Sequence, residues 1–324
     1  MSEKMIYGNT PCFLGAKNLV KSPESVKDVD AIVYGVPWEG AVTWGDYTGC
    51  ELGPKVMRLS SGRYSGYLPE LDHIDVFEHV TLGDMGDVAV TPAEPEDTKN
   101  KIKEFAKKIW STGAFPIALG GDHGITYPII EALTESAGKK VGIIHLDAHY
   151  DNNEHSVGDP YGRGSPFYRL YETKGVRNES LVHLGIHGPR NKAENGRLAK
   201  EVGATTLTVN DVREAEDLRK FANEVYDIAA KETDVVYLSI CSDVLDHAFN
   251  PGGPADGNGL TSYELLTIIY EVCKRGVGGM DFVEVYPQQD ATDFSSHFAS
   301  WIVLYALAGN IHFKKITNFF QKKV

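Results

Sequence analysis

Val141-Gly142-Ile143-Ile144-His145-Leu146-Asp147-Ala148-His149-Tyr150-Asp151 reads as a buried strand that closes on three metal-type ligands at alternate positions. Side chains at i, i+2 and i+4 of an extended segment point the same way, so Asp147, His149 and Asp151 converge at the mouth of the strand. Two carboxylates and an imidazole gathered there repel one another unless something cationic lies between them. A divalent metal is the simplest such cation.

Three further segments repeat this arrangement of apolar strand and then polar cluster. Phe115-Pro116-Ile117-Ala118-Leu119 runs into Gly120-Gly121-Asp122-His123, and Val235-Val236-Tyr237-Leu238-Ser239-Ile240 runs into Cys241-Ser242-Asp243. Met280-Asp281-Phe282-Val283-Glu284-Val285 carries an acid near its end. In open α/β sheets the functional crevice lies outside the carboxyl ends of the strands. If these strands are parallel neighbours, His123, Asp147, His149, Asp151 and Asp243 all fall there.

The 324 residues are compatible with two average domains or one continuous α/β core. No solenoid-type repeat, low-complexity tract or long Pro/Gly/Ser linker divides them, which favours a single domain over residues 1–324. The hydrophobic fraction of 42% never concentrates into a run of about 18 to 20 apolar residues, so no membrane span is expected. Met1-Ser2-Glu3-Lys4-Met5-Ile6-Tyr7 lacks the basic and apolar blocks of a secretory signal, making a cytoplasmic location the default expectation. A formal charge of −13 argues against a nucleic-acid partner, because phosphate-backbone binding needs clustered Lys and Arg. Cys12, Cys50, Cys241 and Cys273 are scattered and show neither a disulfide framework nor zinc-finger spacing.

Ala31-Ile32-Val33-Tyr34-Gly35-Val36-Pro37 is an early buried strand leading through a Gly-rich loop to Gly53-Pro54 and a helix over 55–61. Apolar residues at spacings of three and four predict amphipathic helices over 96–112 and 217–231. Strands are expected at 181–186 and 205–209, and a helix over 262–274 starts at a capping box formed by Thr261 or Ser262 with Glu264. Alternation of this kind implies parallel pairing, with right-handed crossovers placing helices on both faces of the sheet.

Taken together, Gly120-Gly121-Asp122-His123, Asp147-Ala148-His149-Tyr150-Asp151 and Ser239-Ile240-Cys241-Ser242-Asp243-Val244-Leu245-Asp246 resemble the ureohydrolase superfamily of arginase and agmatinase, the agmatinases more closely. Gly35-Val36-Pro37, Gly53-Pro54, Gly185-Ile186, Gly259-Leu260-Thr261 and Val283-Glu284-Val285 extend the resemblance across most of the chain. It implies a single three-layer α/β domain around a mostly parallel eight-stranded sheet, assembled as a homo-oligomer (trimer or hexamer), with two divalent ions, manganese by family. It further implies that His123, Asp147, Asp151 and Asp243 hold or bridge the first ion, and that His149 joins Asp147 and Asp243 at the second. A metal-bound hydroxide would then attack a guanidino carbon to give urea and an amine. Asp151 would orient the hydroxide, Glu284 would pair with the guanidinium and hold its carbon in place, and Asn153 would contact the far end of the substrate.

Three positions depart from that pattern. The first acid of the usual Asp-x-Asp is Cys241, whose thiolate is a soft ligand and makes nickel, zinc or iron more credible, unless the residue is only a buried apolar thiol. Asp246-His247 replaces Asp-Pro, so His247 either adds a ligand or proton carrier or marks a relaxed turn. Within Tyr161-Gly162-Arg163-Gly164-Ser165-Pro166, Arg163 stands where related enzymes place a proton-shuttling His. Arginine cannot shuttle protons; it either anchors an anionic substrate group, occupies the cation's pocket, or serves as a salt-bridge residue without a chemical role. His155, on the same loop, is a substitute acid or base at the substrate. His73, His79, His183 and His297 have no ligand spacing, and Trp38, Trp44, Tyr47, Tyr64 and Tyr67 either line a substrate mouth or pack between subunits.

These readings favour hydrolysis of a guanidino compound: agmatine, a guanidino acid or guanidine itself. The competing expectation is a catalytically degenerate homologue that supports an active paralogue in a hetero-oligomer. A third, formimino or amide hydrolysis, predicts formamide or ammonia in place of urea.

Overall fold

The computed structural model describes residues 10–42 and 47–321, so Met1–Tyr7 and Trp44 lie outside the described residues. The described residues form eleven strands and nine α-helices. The strands are β1 Lys17–Asn18, β2 Ala31–Val36, β3 Tyr67–Leu68, β4 Ile74–Asp75, β5 Leu82–Asp87, β6 Phe115–Gly120, β7 Val141–Leu146, β8 Val176–Ile186, β9 Thr205–Thr208, β10 Val235–Cys241 and β11 Val277–Val283. The helices are α1 Gly53–Ser61, α2 Pro95–Trp110, α3 Thr126–Ala137, α4 Pro166–Glu172, α5 Ala193–Glu201, α6 Val209–Glu214, α7 Leu218–Ala229, α8 Ser262–Cys273 and α9 Phe294–Gln321.

Nine strands form one sheet in the order β1-β5-β2-β6-β11-β10-β7-β8-β9, and every neighbouring pair is parallel. The ninth strand, beyond the eight expected, is the two-residue polar edge β1, which pairs Lys17 with Gly83 and Asn18 with Asp84. β3 and β4 form a separate antiparallel pair.

Burial on both sides follows from the strand pleat. Ala31 and Val33 of β2 and Ile144 and Leu146 of β7 join one apolar cluster with Met57 of α1 and residues of α7, α8 and α9. Ile32, Tyr34 and Val36, with Val141 and Ile143, join a second with Ile102 and Ile109 of α2 and Ile129 of α3. The sheet is thus the middle of three layers in an α/β fold.

Local chemistry sets the helix ends. α2 starts at Pro95, with Glu96 and Asp97 in its first turn and Lys107 and Lys108 in its last, both favourable to the helix dipole. α8 begins at the expected capping box: Thr261 Oγ1 accepts from Glu264 N at 3.2 Å, and Glu264 Oε2 accepts from Thr261 N at 2.7 Å. No described helix is long and apolar enough to cross a membrane.

The order matters for the site because β6, β11, β10 and β7 are the four adjacent central strands. Their carboxyl ends therefore open side by side, and the segments leaving them carry His123, Glu284, Cys241 with Asp243, and Asp147 with His149 and Asp151. The exit from β6 is tight: a Cβ on Gly121 would stand 2.2 Å from the Trp38 carbonyl oxygen, so only glycine lets this turn pack against the chain leaving β2.

Candidate active site

Two ligand groups form at the strand ends. His123, Asp147 and Cys241 bring one ligand atom each to within 4.8 Å of one another, and so do Asp147, His149 and Asp243. Asp147 is common to both. Asp151 joins the first group through an oxygen 3.0 Å from His123 Nδ1. The structure thus brings together His123, Asp147, His149, Asp151, Cys241 and Asp243.

The hydrogen-bond network shows which face of His123 is free to bind a cation. Asp281 accepts from Thr126 Oγ1 at 2.9 Å, Tyr237 OH at 3.0 Å and Ser239 Oγ at 2.8 Å. Because Ser239 spends its proton on Asp281, its oxygen accepts from His123 Nε2–H at 2.9 Å. The Nδ1 lone pair of His123 is left facing Asp147 at 2.9 Å and Asp151 at 3.0 Å, and this fully buried atom has no hydrogen bond. A lone pair aimed at two carboxylates is repulsive unless a proton or a cation lies between them. Against the effect of burial, Asp147 and Asp151 lift His123 well above its usual range, and a divalent metal fits the place such a proton would take. Burial and the adjacent Asp147 lift the Asp151 carboxyl to about 7, the electrostatic mark of acids crowded without a counter-charge.

A second relay fixes Asp147. Its carboxylate accepts from His145 Nε2 at 2.9 Å, His145 Nδ1 accepts from His183 Nδ1 at 2.7 Å, and His183 Nε2 accepts from Tyr171 OH at 2.6 Å, a single donor direction that satisfies two neutral imidazoles. Burial supports that neutrality, lowering His145 to about 4 and His183 well below its usual value. Only His145 carried a local signal for this role, being two residues before Asp147 on the same side of the strand. His183, which spacing alone leaves as an ordinary histidine, is a core member of the relay. On the other side, His149 Nδ1 lies 3.1 Å from Asp243 and 3.4 Å from Asp147, while its Nε2 lies 3.5 Å from the buried Asp256. Asp256 was not foreseen; it comes from the loop between β10 and α8.

Two of the acids hold strained backbone. Asp151 and Glu284 adopt φ of +44° and +62°, in the left-handed region that non-glycine residues seldom enter. Such strain persists where surrounding structure over-determines it, and here it turns both carboxylates into the cleft.

His149, Asp151, Cys241, Asp243 and Glu284 line a cleft of about 410 Å³, together with Asn153, Arg163, Arg190, Lys192 and Tyr286. Asn153 donates to Gly164 O at 3.1 Å and accepts from Asn195 Nδ2 at 3.2 Å. His155 is exposed and is not among the cleft-lining residues. His247 is exposed in a turn stabilised by Asp246 Oδ1, which accepts from Ala248 N at 2.9 Å. Of the described aromatics considered for the mouth, Tyr47 lines the cleft and packs edge-on to Tyr286 at 5.7 Å. Trp38 is buried, Tyr64 hydrogen-bonds His297, and Tyr67 stacks on His73 at the surface.

Arg163 is inside the cleft floor with its side chain only 9% exposed. It lies 3.4 Å from Glu284 and 3.1 Å from Glu39, and donates to Tyr286 OH, which in turn donates to Glu284. Glu284 Oε1 also accepts from His123 N at 2.7 Å, linking this ion-pair group to the ligand cluster.

The Arginase family model matches residues 29–309. Among curated proteins, a formimidoylglutamase of Halalkalibacterium halodurans is 34% identical over 81% of this chain and 82% of its own length. An agmatinase of Bacillus anthracis is 31% identical over 90% of this chain and 96% of its own. Among solved structures, a proclavaminate amidino hydrolase from Streptomyces clavuligerus superposes with a TM-score of 0.83 at 25% identity, covering 95% of this chain and 99% of that one. The sheet order, the ligand groups and these likenesses agree: the chain is a member of the arginase family.

Proposed function

We propose that this chain hydrolyses a C–N bond of a guanidino compound, releasing urea and an amine, at a centre that holds two divalent ions. Supporting this most directly is the shared Asp147, flanked by His123, Asp151 and Cys241 on one side and by His149 and Asp243 on the other. Bound ions would supply Lewis acidity and a nucleophile at neutral pH. The protein side of the chemistry is positional. Asp151 accepts a proton from the attacking water and aims it, while Glu284 offers its charge to the amidine and holds the carbon above that water. Asn153 meets the distal part of the substrate, and Asp256 steadies His149 from behind.

The tail of the substrate is set by the rim. The described acids lining the cleft are Asp151, Asp243 and Glu284, all from the strand-end cluster, and Arg190, Lys192, Asn191 and Asn195 line it as well. Arg190 is paired with Asp256, and Lys192 is exposed. Among the described residues outside the strand-end cluster, an ammonium tail such as agmatine's meets no acid lining the cleft, and a carboxylate tail meets a lysine. Guanidino acids are therefore expected to exceed agmatine in kcat/KM by about tenfold or more, equivalent to roughly 1.4 kcal/mol.

The test is elemental analysis of metal-loaded protein followed by urea measurement over agmatine, guanidinopropionate, guanidinobutyrate and guanidine. Two ions per chain and stoichiometric urea are expected; formamide or ammonia would move the activity to formimino or amide hydrolysis. The contact of Arg163 with Glu284 favours one second reading, a degenerate homologue that supports an active paralogue in a mixed oligomer. None or one ion per chain, with no urea, would establish it. For the active reading, a cytoplasmic homo-oligomer, trimeric or hexameric, is the accompanying proposal.

A further inference from the structure

Arg163 reaches the cleft floor from the loop between β7 and α4. Its guanidinium is ringed by acids: Nη1 is 3.4 Å from Glu284 Oε2, and Nη2 is 3.1 Å from Glu39 Oε1 and 3.9 Å from Asp122 Oδ2. Tyr286 accepts from Nη1, and its ring lies 5.8 Å from the guanidinium carbon. Glu39 is itself anchored by Gly49 N at 2.8 Å, and Asp122 by Gly40 N at 2.7 Å and Gly124 N at 2.9 Å. Three fixed carboxylates and a phenol thus form a planar-cation seat, and its present occupant identifies the chemistry it accepts. The buried Nε–H of Arg163 has no hydrogen-bond partner, so the occupant fills the seat without satisfying all its own donors.

We propose that Arg163 is a resident guanidinium, seated where an external guanidinium would pair with Glu284, so that a guanidino compound engages Glu284 only by displacing it. This rests on reading the cleft as a guanidino site, and it makes Arg163 the residue that sets how strongly such cations bind. A tethered group competes at an effective concentration of order millimolar or above, which any free cation must exceed. Arginine is suited to the task because its fork stays charged and engages two carboxylates at once, whereas a lysine offers one compact charge.

The experiment is calorimetric titration of the protein with guanidinium chloride, against ammonium chloride as control, for wild type, Arg163→Ala and Arg163→Gln. The neutral variants are expected to bind guanidinium at least about tenfold more tightly than wild type, with no gain for ammonium. Arg163→Gln is closer in shape and carries the same expectation should Arg163→Ala fail to fold. Equal guanidinium affinity in wild type and the neutral variant would overturn the proposal, as would an equal gain for ammonium. The urea assay separates this from the functional reading: tighter guanidinium binding with no urea from any variant sustains the resident-cation assignment while removing the hydrolase activity. Hydrolysis by wild type that falls in Arg163→Gln without any gain in guanidinium affinity would instead make Arg163 part of the working machinery and overturn the displacement proposal.

Discussion

Asp147→Asn is expected to leave the protein folded, to strip it of its full metal complement and to lower amidine hydrolysis by at least about 10³-fold. Asp147 is the residue that the two ligand groups share, so its charge faces both cations of the proposed centre. Asparagine keeps the shape and one carbonyl oxygen, which can still accept the 2.9 Å hydrogen bond from His145 Nε2. The fold loses one hydrogen bond, since the amide NH2 cannot accept from His149 N as Asp147 Oδ1 does, whereas the bound ions would lose a full negative charge in a buried pocket. Bound ions contribute several kcal/mol of transition-state stabilisation, and a loss of roughly 4 kcal/mol corresponds to about 10³ in rate. Asp151 reports the same change independently: the neighbouring Asp147 charge helps lift it to about 7, so without metal the substitution should move its titration towards the ordinary carboxyl range. Elemental analysis, urea release and metal-free thermal melting check the three parts. Two retained ions with an unchanged rate would remove Asp147 from the centre altogether.

The part of this site visible in the sequence is the part encoded locally. A strand followed by Asp-x-His-x-Asp is enough to place Asp147, His149 and Asp151 at one strand mouth, but the pleat is not what gathers them. β7 ends at Leu146, and Asp151 turns inward through a left-handed φ of +44°. An apolar run before each cluster likewise places His123 and Asp243 at strand ends. The joining of those ends depends on the β6-β11-β10-β7 order, which expresses a parallel α/β pattern but is not written in any one segment. What escaped reading is nonlocal. Glu39 meets Arg163 from the loop after β2, Tyr171 and His183 approach Asp147 from α4 and β8, and Asp256 backs His149 from a loop far along the chain. No periodicity marks such partners, because each is an ordinary loop or core residue until the fold supplies its neighbour. The ninth strand was hidden for a different reason: Lys17 and Asn18 form a polar two-residue edge without alternation or β-branched side chains, so its pairing with β5 is a tertiary outcome.

Cys241→Asp is expected to raise manganese affinity by about 10- to 100-fold and to erase a preference for thiophilic ions. Cys241 Sγ belongs to the group with His123 and Asp147, and the residue is fully buried at the end of β10. Burial, with the Asp147 and Asp243 charges beside it, pushes its thiol well above the usual range, so without a cation it contributes no negative charge. A bound cation reverses that logic, since coordination deprotonates a thiol outright. The resulting soft sulfur ligand favours zinc, nickel or iron over manganese. Aspartate at this position supplies a hard, already ionised donor and the charge needed to hold two cations close together. Changes to groups that merely support a ligand already alter affinity by about 10- to 100-fold, so a change in the ligand itself should reach at least that range. Competition titrations of manganese against zinc in both proteins measure the selectivity directly. Identical selectivity would show that Cys241 packs as a small apolar side chain beside the metals, leaving His123, Asp147 and Asp151 to hold the first ion. A reversal would identify the sulfur as a working ligand, and would make urea release by wild type strongest with the softer ion.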